Sequence, residues 1–153
     1  MRDVEREIVP MLQDQKVGMM VWSPLSGGLL TGKYKRDGQK EEGRLNSFPF
    51  PPFHEERAYE VLDVLTPMAE QKQVSVSQLA LAWLLHQPVV SSVIIGATKI
   101  QQLQDNLKSV DIVFTTAELN QLNEVSKLPL EYPGIVLEVM TADRSFGTDF
   151  LNA

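Results

Sequence analysis

Two short apolar runs, each followed by a loop that contains glycine, are the clearest pattern in this chain. Residues 17–22 are apolar or glycine and show no alternation, and residues 89–95 are rich in β-branched side chains. Continuous apolar runs of this length are typical of strands that are buried on both faces of a parallel sheet. We therefore predict two parallel strands, each leading through a loop into helical segments.

Helical periodicity fills much of the chain around these strands. Apolar residues recur every three or four positions in segments that predict helices at 3–15, 55–72, 75–86, 99–108 and 116–126. Ser75 with Gln78, and Thr115 with Glu118, have the spacing of a capping box and predict two helix starts. Pro67 predicts a kink or an interruption in the second helix.

The order of these elements gives an α/β fold class, because strands that are joined through helices run parallel. Two strands buried on both faces need further neighbours, and this chain of 153 residues offers no other good strand. A whole (β/α)8 barrel takes about 250 residues. We therefore expect the C-terminal part of a TIM barrel, with about the last two β/α units, a C-terminal helix and a tail. Its open strand edges would be covered by a second copy of the chain or by an N-terminal half of the barrel.

Charge and composition narrow the function classes. Fourteen basic and twenty acidic residues give a net charge of −6, which disfavours binding to DNA or RNA. The sequence has no cysteine, which excludes disulfide and thiolate chemistry and is compatible with the cytoplasm. The first residues lack the apolar core of a signal peptide, and no apolar run approaches the roughly 20 residues of a membrane span. We expect a cytoplasmic protein with no membrane insertion.

The loops that follow the two strands carry the residues best suited to bind an anion. In a right-handed βαβ unit both loops emerge on one face of the sheet. The second loop opens a helix, whose first N–H groups favour an anion. We predict one shared site, with an aromatic plate at Trp22, a central phosphate at Ser26 and Lys33, and a terminal phosphate at Thr98 and Lys99.

The same residues have ordinary structural explanations, which the sequence leaves open. An isolated tryptophan such as Trp22 is more often part of the core, and single lysines such as Lys33 and Lys99 are by default solvated. The loop glycines can serve a turn alone. His54 and His86 have no nearby acid or cysteine, so the sequence predicts neither a metal site nor a catalytic triad.

Three segments, taken together, resemble the aldo-keto reductases. They are residues 22–34 (WSPLSGGLLTGKY), residues 79–85 (LALAWLL), and residues 94–98 (IIGAT) with 102–107 (QLQDNL). The chain as a whole, 1–153, is thus interpreted as a partial barrel. The resemblance covers residues 1–127 and leaves 128–153 as a C-terminal tail, and it is strongest to the bacterial branch related to voltage-gated potassium-channel β subunits. It implies a barrel that binds NADPH or NADP+ and reduces aldehydes or ketones to alcohols.

The resemblance also implies which residues bind the cofactor. Trp22 would stack on the nicotinamide. The pyrophosphate would be lined by Ser23, Pro24, Leu25, Ser26 and Gly27, with Lys33 and Arg44 closing over it from the long loop at 31–54. The adenosine half and its 2′-phosphate would be held by Gly96, Thr98, Lys99, Gln102, Asp105 and Asn106. Lys99 departs from the residue usual in that branch but supplies charge for the phosphate.

The motifs around the family's catalytic aspartate, tyrosine, lysine and histidine do not occur in this sequence, so no catalytic residue is predicted. Tyr34, Tyr59 and Tyr132 lie in the wrong context to replace the missing tyrosine. The hypothesis is an NADPH-binding segment that is inactive alone and meets its carbonyl substrate through a part of the barrel outside it. Two alternatives stay open: a nucleotide-sensing regulatory subunit that resembles channel β subunits, and a non-functional truncated fragment.

Overall fold

The computed structural model describes residues 2–34, 36, 45, 50 and 53–136. Within these ranges the architecture is α/β, as predicted. The elements are α1 (Ile8–Asp14), β1 (Met19–Val21), α2 (Glu55–Lys72), α3 (Val76–Leu85), β2 (Val90–Val93), α4 (Ile100–Leu107) and α5 (Thr116–Val125), with 3-10 turns at Asp3–Glu5, Ser26–Thr31 and Lys108–Asp111. None of the described helices combines the length and the apolar character that a membrane span requires.

The two strands pair in parallel, which confirms the predicted sheet. The register places Met19 opposite Val90 and Val21 opposite Val93, with an irregularity after Met19. The N–H of Ile94 extends the pairing by donating to the Val21 carbonyl at 2.9 Å. Because the strands are parallel, the segments that follow them leave the same end of the sheet.

The strands are shorter and more exposed than the sequence predicted. Of residues 17–22 only Met19–Val21 form strand, and of 89–95 only Val90–Val93 do so. The Met20 side chain is 69% exposed, so the prediction that both faces are buried is wrong for this chain. A strand face is buried only where another layer packs on it, and among the described residues no layer covers the face of β1 that carries Met20. Each strand also has only the other as a neighbour in this part of the chain, so each has one open edge.

Two helix predictions need correction. The helix predicted over residues 3–15 is divided, because Glu7 adopts a non-helical backbone between the turn at Asp3–Glu5 and α1. In contrast, α2 runs through Pro67 without the interruption that was one of the two outcomes predicted there, the other being a kink. Leu65 and Met68 on either side of Pro67 are buried in the core, and tertiary packing of this kind outweighs local propensity.

Both predicted capping boxes form. Ser75 Oγ accepts from the Gln78 N–H at 3.1 Å, and Gln78 Oε1 accepts from the Ser75 N–H at 3.2 Å. Thr115 Oγ1 accepts from the Glu118 N–H at 3.3 Å, and Glu118 Oε2 accepts from the Thr115 N–H at 2.7 Å. Each box satisfies two donors that the helix start would otherwise leave unpaired, which fixes where α3 and α5 begin.

The core lies between helices α2, α3 and α5 and the segment that precedes α5. Its buried members are Leu65, Met68, Ala69, Leu79, Ala80, Ala82, Ile112, Phe114 and Leu122. Trp83 packs against this cluster, as predicted, and its indole N–H donates to Asn123 Oδ1 at 3.0 Å. His86 Nδ1 lies 2.8 Å from the Ala82 carbonyl at the end of α3, the place expected for a histidine near a helix C-terminus. The helical layer is thus well packed, whereas the sheet side is open.

An ion pair between α2 and the start of α5 predicts a pH-dependent contribution to stability. Lys72 Nζ lies 2.8 Å from Glu118 Oε1, and this hydrogen bond lowers the pKa of Glu118 below its ordinary value. A carboxyl whose pKa is lowered by folding stabilises the protein above its unfolded-state pKa, and this stabilisation is lost as the pH falls through the folded-state pKa. We therefore expect Glu118→Gln to lower the free energy of unfolding slightly at pH 7.

The penalty of Glu118→Gln should shrink as the pH falls from the ordinary pKa of glutamate through the lowered folded-state pKa of Glu118, because the wild-type carboxyl then becomes protonated. Urea unfolding of both proteins at pH 7 and across the acid range measures the difference directly. Glutamine keeps the capping box, so the cap itself does not change. A penalty that is independent of pH would show that the charge of Glu118 contributes nothing.

Candidate functional site

The candidate site lies at the C-terminal ends of β1 and β2. Val21 and Val93 are paired in register, so the loops that begin at Trp22 and Ile94 leave from adjacent strand ends. This confirms the prediction that both loops emerge at one end of the sheet. The C-terminal ends of parallel strands are where α/β proteins commonly bind ligands.

The first loop is a tight coil with an unusual backbone. Ser26, Gly27 and Gly28 have φ angles of 50°, 68° and 98°, three consecutive residues in the left-handed region. The Gly28 N–H donates to the Leu25 carbonyl at 2.9 Å, and Thr31 Oγ1 donates to the Gly28 carbonyl at 2.7 Å. Left-handed conformation costs energy at a non-glycine residue, so Ser26 marks backbone strain of the kind that clusters at functional sites.

Lys33 folds back onto this loop instead of extending into solvent. Its Cε lies 3.3 Å from the position that a Cβ on Gly28 would occupy, and its Nζ lies 5.2 Å from the centroid of the Tyr34 ring. Tyr34 is buried, and its hydroxyl accepts from the Leu45 N–H at 3.4 Å. The missing side chain at Gly28 therefore lets the ammonium group lie against the loop backbone.

Trp22 is not part of the core. Its side chain is 60% exposed, and its ring centroid lies 6.2 Å from that of Phe50 with the planes inclined by 48°. The structural alternative for this residue, burial in the core, is therefore wrong. An exposed aromatic ring at a strand end offers a surface on which another ring can stack.

The second loop brings three donors to a single oxygen atom. Gln102 Oε1 accepts from the Thr98 N–H at 3.1 Å, from the Thr98 hydroxyl at 3.2 Å and from the Lys99 N–H at 3.3 Å. Gly96 is exposed, and nothing lies within 4 Å of a Cβ built on it. Donors that converge at a helix N-terminus can equally well hold the oxygen of an anion.

Two residues predicted for the adenosine half face the interior. Asp105 Oδ2 accepts from the Ser75 hydroxyl at 2.6 Å, and Asp105 Oδ1 accepts from Gln78 Nε2 at 2.7 Å. Asn106 is buried. The sequence did not assign Ser75 and Gln78 to the site, because their capping-box spacing was interpreted only as a helix start.

The remaining predicted residues divide into those that the structure describes and one that it does not. Ser23, Pro24 and Leu25 are half-buried in the first loop, and Ser23 has a φ of 54°. Arg44 lies outside the described residues, so its predicted role stays a prediction. A separate open groove of about 500 Å³ is lined by Gly32, Tyr34, Arg36, Tyr59, Leu62, Asp63, Thr66 and Pro67, none of which is in the predicted set.

The chain matches the model of one protein family and is similar in sequence to several known proteins. The model of the aldo/keto reductase family matches residues 1–127. A probable voltage-gated potassium channel subunit beta from Arabidopsis thaliana is 34% identical over 131 residues, covering 80% of this chain and 39% of that protein. The L-glyceraldehyde 3-phosphate reductase of Escherichia coli K12 is 36% identical over 124 residues, covering 74% of this chain and 34% of that protein.

A third relative is named for NADH, whereas the sequence predicted NADPH for this chain. The NADH-specific methylglyoxal reductase of Escherichia coli K12 is 30% identical over 126 residues, covering 82% of this chain and 39% of that protein. The chain thus spans less than two fifths of the length of these relatives. The family is built on a (β/α)8 barrel, with which the two parallel strands and their helices are consistent. The match over residues 1–127 confirms the resemblance: the chain belongs to the aldo/keto reductase family.

Proposed function

We propose that this chain forms the C-terminal, NADPH-binding part of an aldo-keto reductase barrel that reduces aldehydes or ketones to alcohols. One observation carries the proposal. Two loops start from adjacent ends of the paired parallel strands. The first contains Lys33, and the second contains the donors of Thr98 and Lys99. Family membership supports the same assignment, because two relatives are named as reductases.

The residues present fit a nicotinamide dinucleotide in three places. The exposed ring of Trp22 suits stacking against a flat heterocycle. The Lys33 ammonium, held against the glycine loop, suits a pyrophosphate. The donors of Thr98 and Lys99 already hold one oxygen atom, that of Gln102, and a phosphate oxygen has the same acceptor chemistry with more charge.

The residues of this chain bind and orient, and the bound nicotinamide supplies the hydride. The Trp22 ring would stack against one face of the nicotinamide ring, and Lys33 would neutralise the charge of the pyrophosphate. The proton for the carbonyl oxygen needs a general acid, and no residue of this chain is assigned to that role. We propose that a part of the barrel outside these 153 residues supplies it, together with the substrate loops. The chain spans 34% to 39% of its reductase relatives, which leaves room for that part.

A regulatory subunit is the second candidate function, because three relatives are named as probable or putative voltage-gated potassium channel subunits beta. In such a protein the bound nucleotide would bias a partner without turnover. Nucleotide binding is common to both candidates, so turnover separates them. Carbonyl reduction by a barrel that contains this chain favours the enzyme, and nucleotide binding without reduction favours the regulatory subunit.

The test of the proposed cofactor is a titration of the 153-residue chain with NADPH and with NADH, followed by tryptophan fluorescence. We expect tighter binding of NADPH, because the 2′-phosphate meets the charge of Lys99 and the donors beside it. Lys99→Ala should lower the NADPH-to-NADH affinity ratio about ten-fold, the effect of losing one charged hydrogen bond. Lys108→Ala, which removes an exposed lysine from the turn after α4, is the matched control and should leave the ratio unchanged.

Failure of the wild-type chain to bind either nucleotide would contradict the proposal. An unchanged ratio in Lys99→Ala would contradict the assignment of Lys99 alone. The same protein, mixed with NADPH and a simple aldehyde, should show no consumption of NADPH at 340 nm (absorbance of the reduced nicotinamide). Measurable consumption that depends on the aldehyde would refute the view that the general acid lies elsewhere.

A further inference from the structure

Two donors of the capping box at the start of α3 are not used within the box, and both donate to the same residue, Asp105. Ser75 Oγ and Gln78 Oε1 are used as acceptors within the box. The remaining groups are donors: the Ser75 hydroxyl hydrogen and the amide group of Gln78. Both donate to Asp105 of α4, at 2.6 Å from Ser75 Oγ to Oδ2 and 2.7 Å from Gln78 Nε2 to Oδ1.

A fifth hydrogen bond ties the same groups to the backbone of α4. Gln78 Nε2 also donates to the Asp105 carbonyl at 2.9 Å, so it contacts both the side chain and the main chain of that residue. Gln78 is only 5% exposed, and Asp105 is half-buried. Hydrogen bonds to a carboxylate that is sheltered from water are stronger than exposed neutral ones.

We propose that Ser75, Gln78 and Asp105 form a positioning cluster that fixes α4 on α3 and so sets the geometry of the adenosine half of the nucleotide site. The inference rests on the proposed function, because α4 begins directly after Thr98 and Lys99 and contains Gln102. Asp105 acts here by holding the helix. Its carboxylate is turned to α3, and the loop donors depend on where α4 lies.

Gln78→Glu is the sharpest test, because it separates the cap from the cluster. Glutamate also completes a capping box, so the start of α3 is preserved. However, the introduced carboxyl group cannot donate when ionised, and it would lie against the Asp105 carboxylate in a buried place. We expect the dissociation constant for 2′,5′-ADP, a probe of the adenosine half, to rise at least about ten-fold.

Gln78→Glu should have little effect on the nicotinamide half of the site. Nicotinamide mononucleotide in its reduced form probes the loop that contains Trp22 and Lys33, and its dissociation constant should change less than about two-fold, because no cluster residue lies in that loop. Glu118→Gln is the matched control: it makes the reverse exchange at the same position of the second capping box. It should leave the affinities for both probes unchanged.

Exchanging the two polar groups provides a rescue. In the double variant Gln78→Glu with Asp105→Asn, the new amide at position 105 can donate to the new carboxylate at position 78, and the Ser75 hydroxyl keeps an acceptor. Most of the lost affinity for 2′,5′-ADP should return. If Gln78→Glu alone fails to fold, recovery of a folded, 2′,5′-ADP-binding chain in the double variant is the supporting result.

Three results would overturn the cluster: unchanged affinity for 2′,5′-ADP in Gln78→Glu, equal losses for both probes, or no recovery in the double variant. If the wild-type chain binds neither probe, the proposed function fails, and amide hydrogen exchange then decides on the cluster. Faster exchange at residues 98–106 in Gln78→Glu, reversed in the double variant, supports it. Unchanged exchange rejects it.

Discussion

Leu79→Ala should lower the free energy of unfolding by about 2–5 kcal/mol, a large effect on stability for a single substitution. Leu79 is 0% exposed and belongs to the core cluster between α2, α3 and α5. Truncation removes buried methyl groups and leaves a cavity that the surrounding helices fill only in part. Since small domains are stable by about 5–15 kcal/mol, this is a large share of the total. Urea unfolding, followed by circular dichroism at 222 nm, measures it.

Leu85→Ala is the matched control, because it is the same truncation at the last residue of the same helix. The Leu85 side chain is 37% exposed, so less apolar surface is lost and water fills the space. The penalty should be about 1 kcal/mol or less. Equal penalties at Leu79 and Leu85 would mean that the core does not lie where the structure has it.

Lys33→Gln should raise the dissociation constant for NADPH about ten- to one-hundred-fold, the largest effect expected on binding. Lys33 is the cation that lies against Gly28 in the first loop, and a hydrogen bond between an ammonium group and a phosphate is among the stronger ones in proteins. Glutamine keeps a donor and a similar length but removes the charge. Fluorescence titration at two salt concentrations measures both the loss and its electrostatic origin.

The salt dependence of NADPH binding should be weaker in Lys33→Gln, because one charge–charge interaction has been removed. Lys108→Gln, at an exposed lysine in the turn after α4, controls for the change in net charge and should bind as the wild type does. NADPH and NADH should be affected alike, since both carry the pyrophosphate. Equal losses in both lysine variants would show that Lys33 acts only through the overall charge.

Features that depend on near neighbours in the sequence could be predicted from it. Ser75 with Gln78 and Thr115 with Glu118 mark helix starts because each box closes within four residues. The parallel pairing of the strands followed from the helices between them. The turn at Gly27 and Gly28 could also be predicted, because glycine adopts a positive φ more readily than other residues.

Features that depend on distant packing could not be predicted in this way. Pro67 predicted a kink or an interruption in α2, yet the helix continues through it, with buried core residues on both sides. The apolar run that contains Met20 predicted burial on both faces, which needs packed layers on both sides of the sheet that the described residues do not provide. The inward contacts of Asp105 join residues 30 positions apart, and no local pattern encodes that distance.

The donors that converge on Gln102 Oε1 have a consequence for selectivity. They are already hydrogen-bonded, so a nucleotide that occupies the proposed site exchanges one acceptor for another. A ribose hydroxyl is a weaker acceptor than the amide oxygen that it would displace, so this exchange gains nothing. A phosphate dianion is a much better acceptor, and only its gain exceeds the loss. In the function that we propose, Gln102 Oε1 competes with the ligand for these donors, and the expected preference for NADPH over NADH follows from this competition.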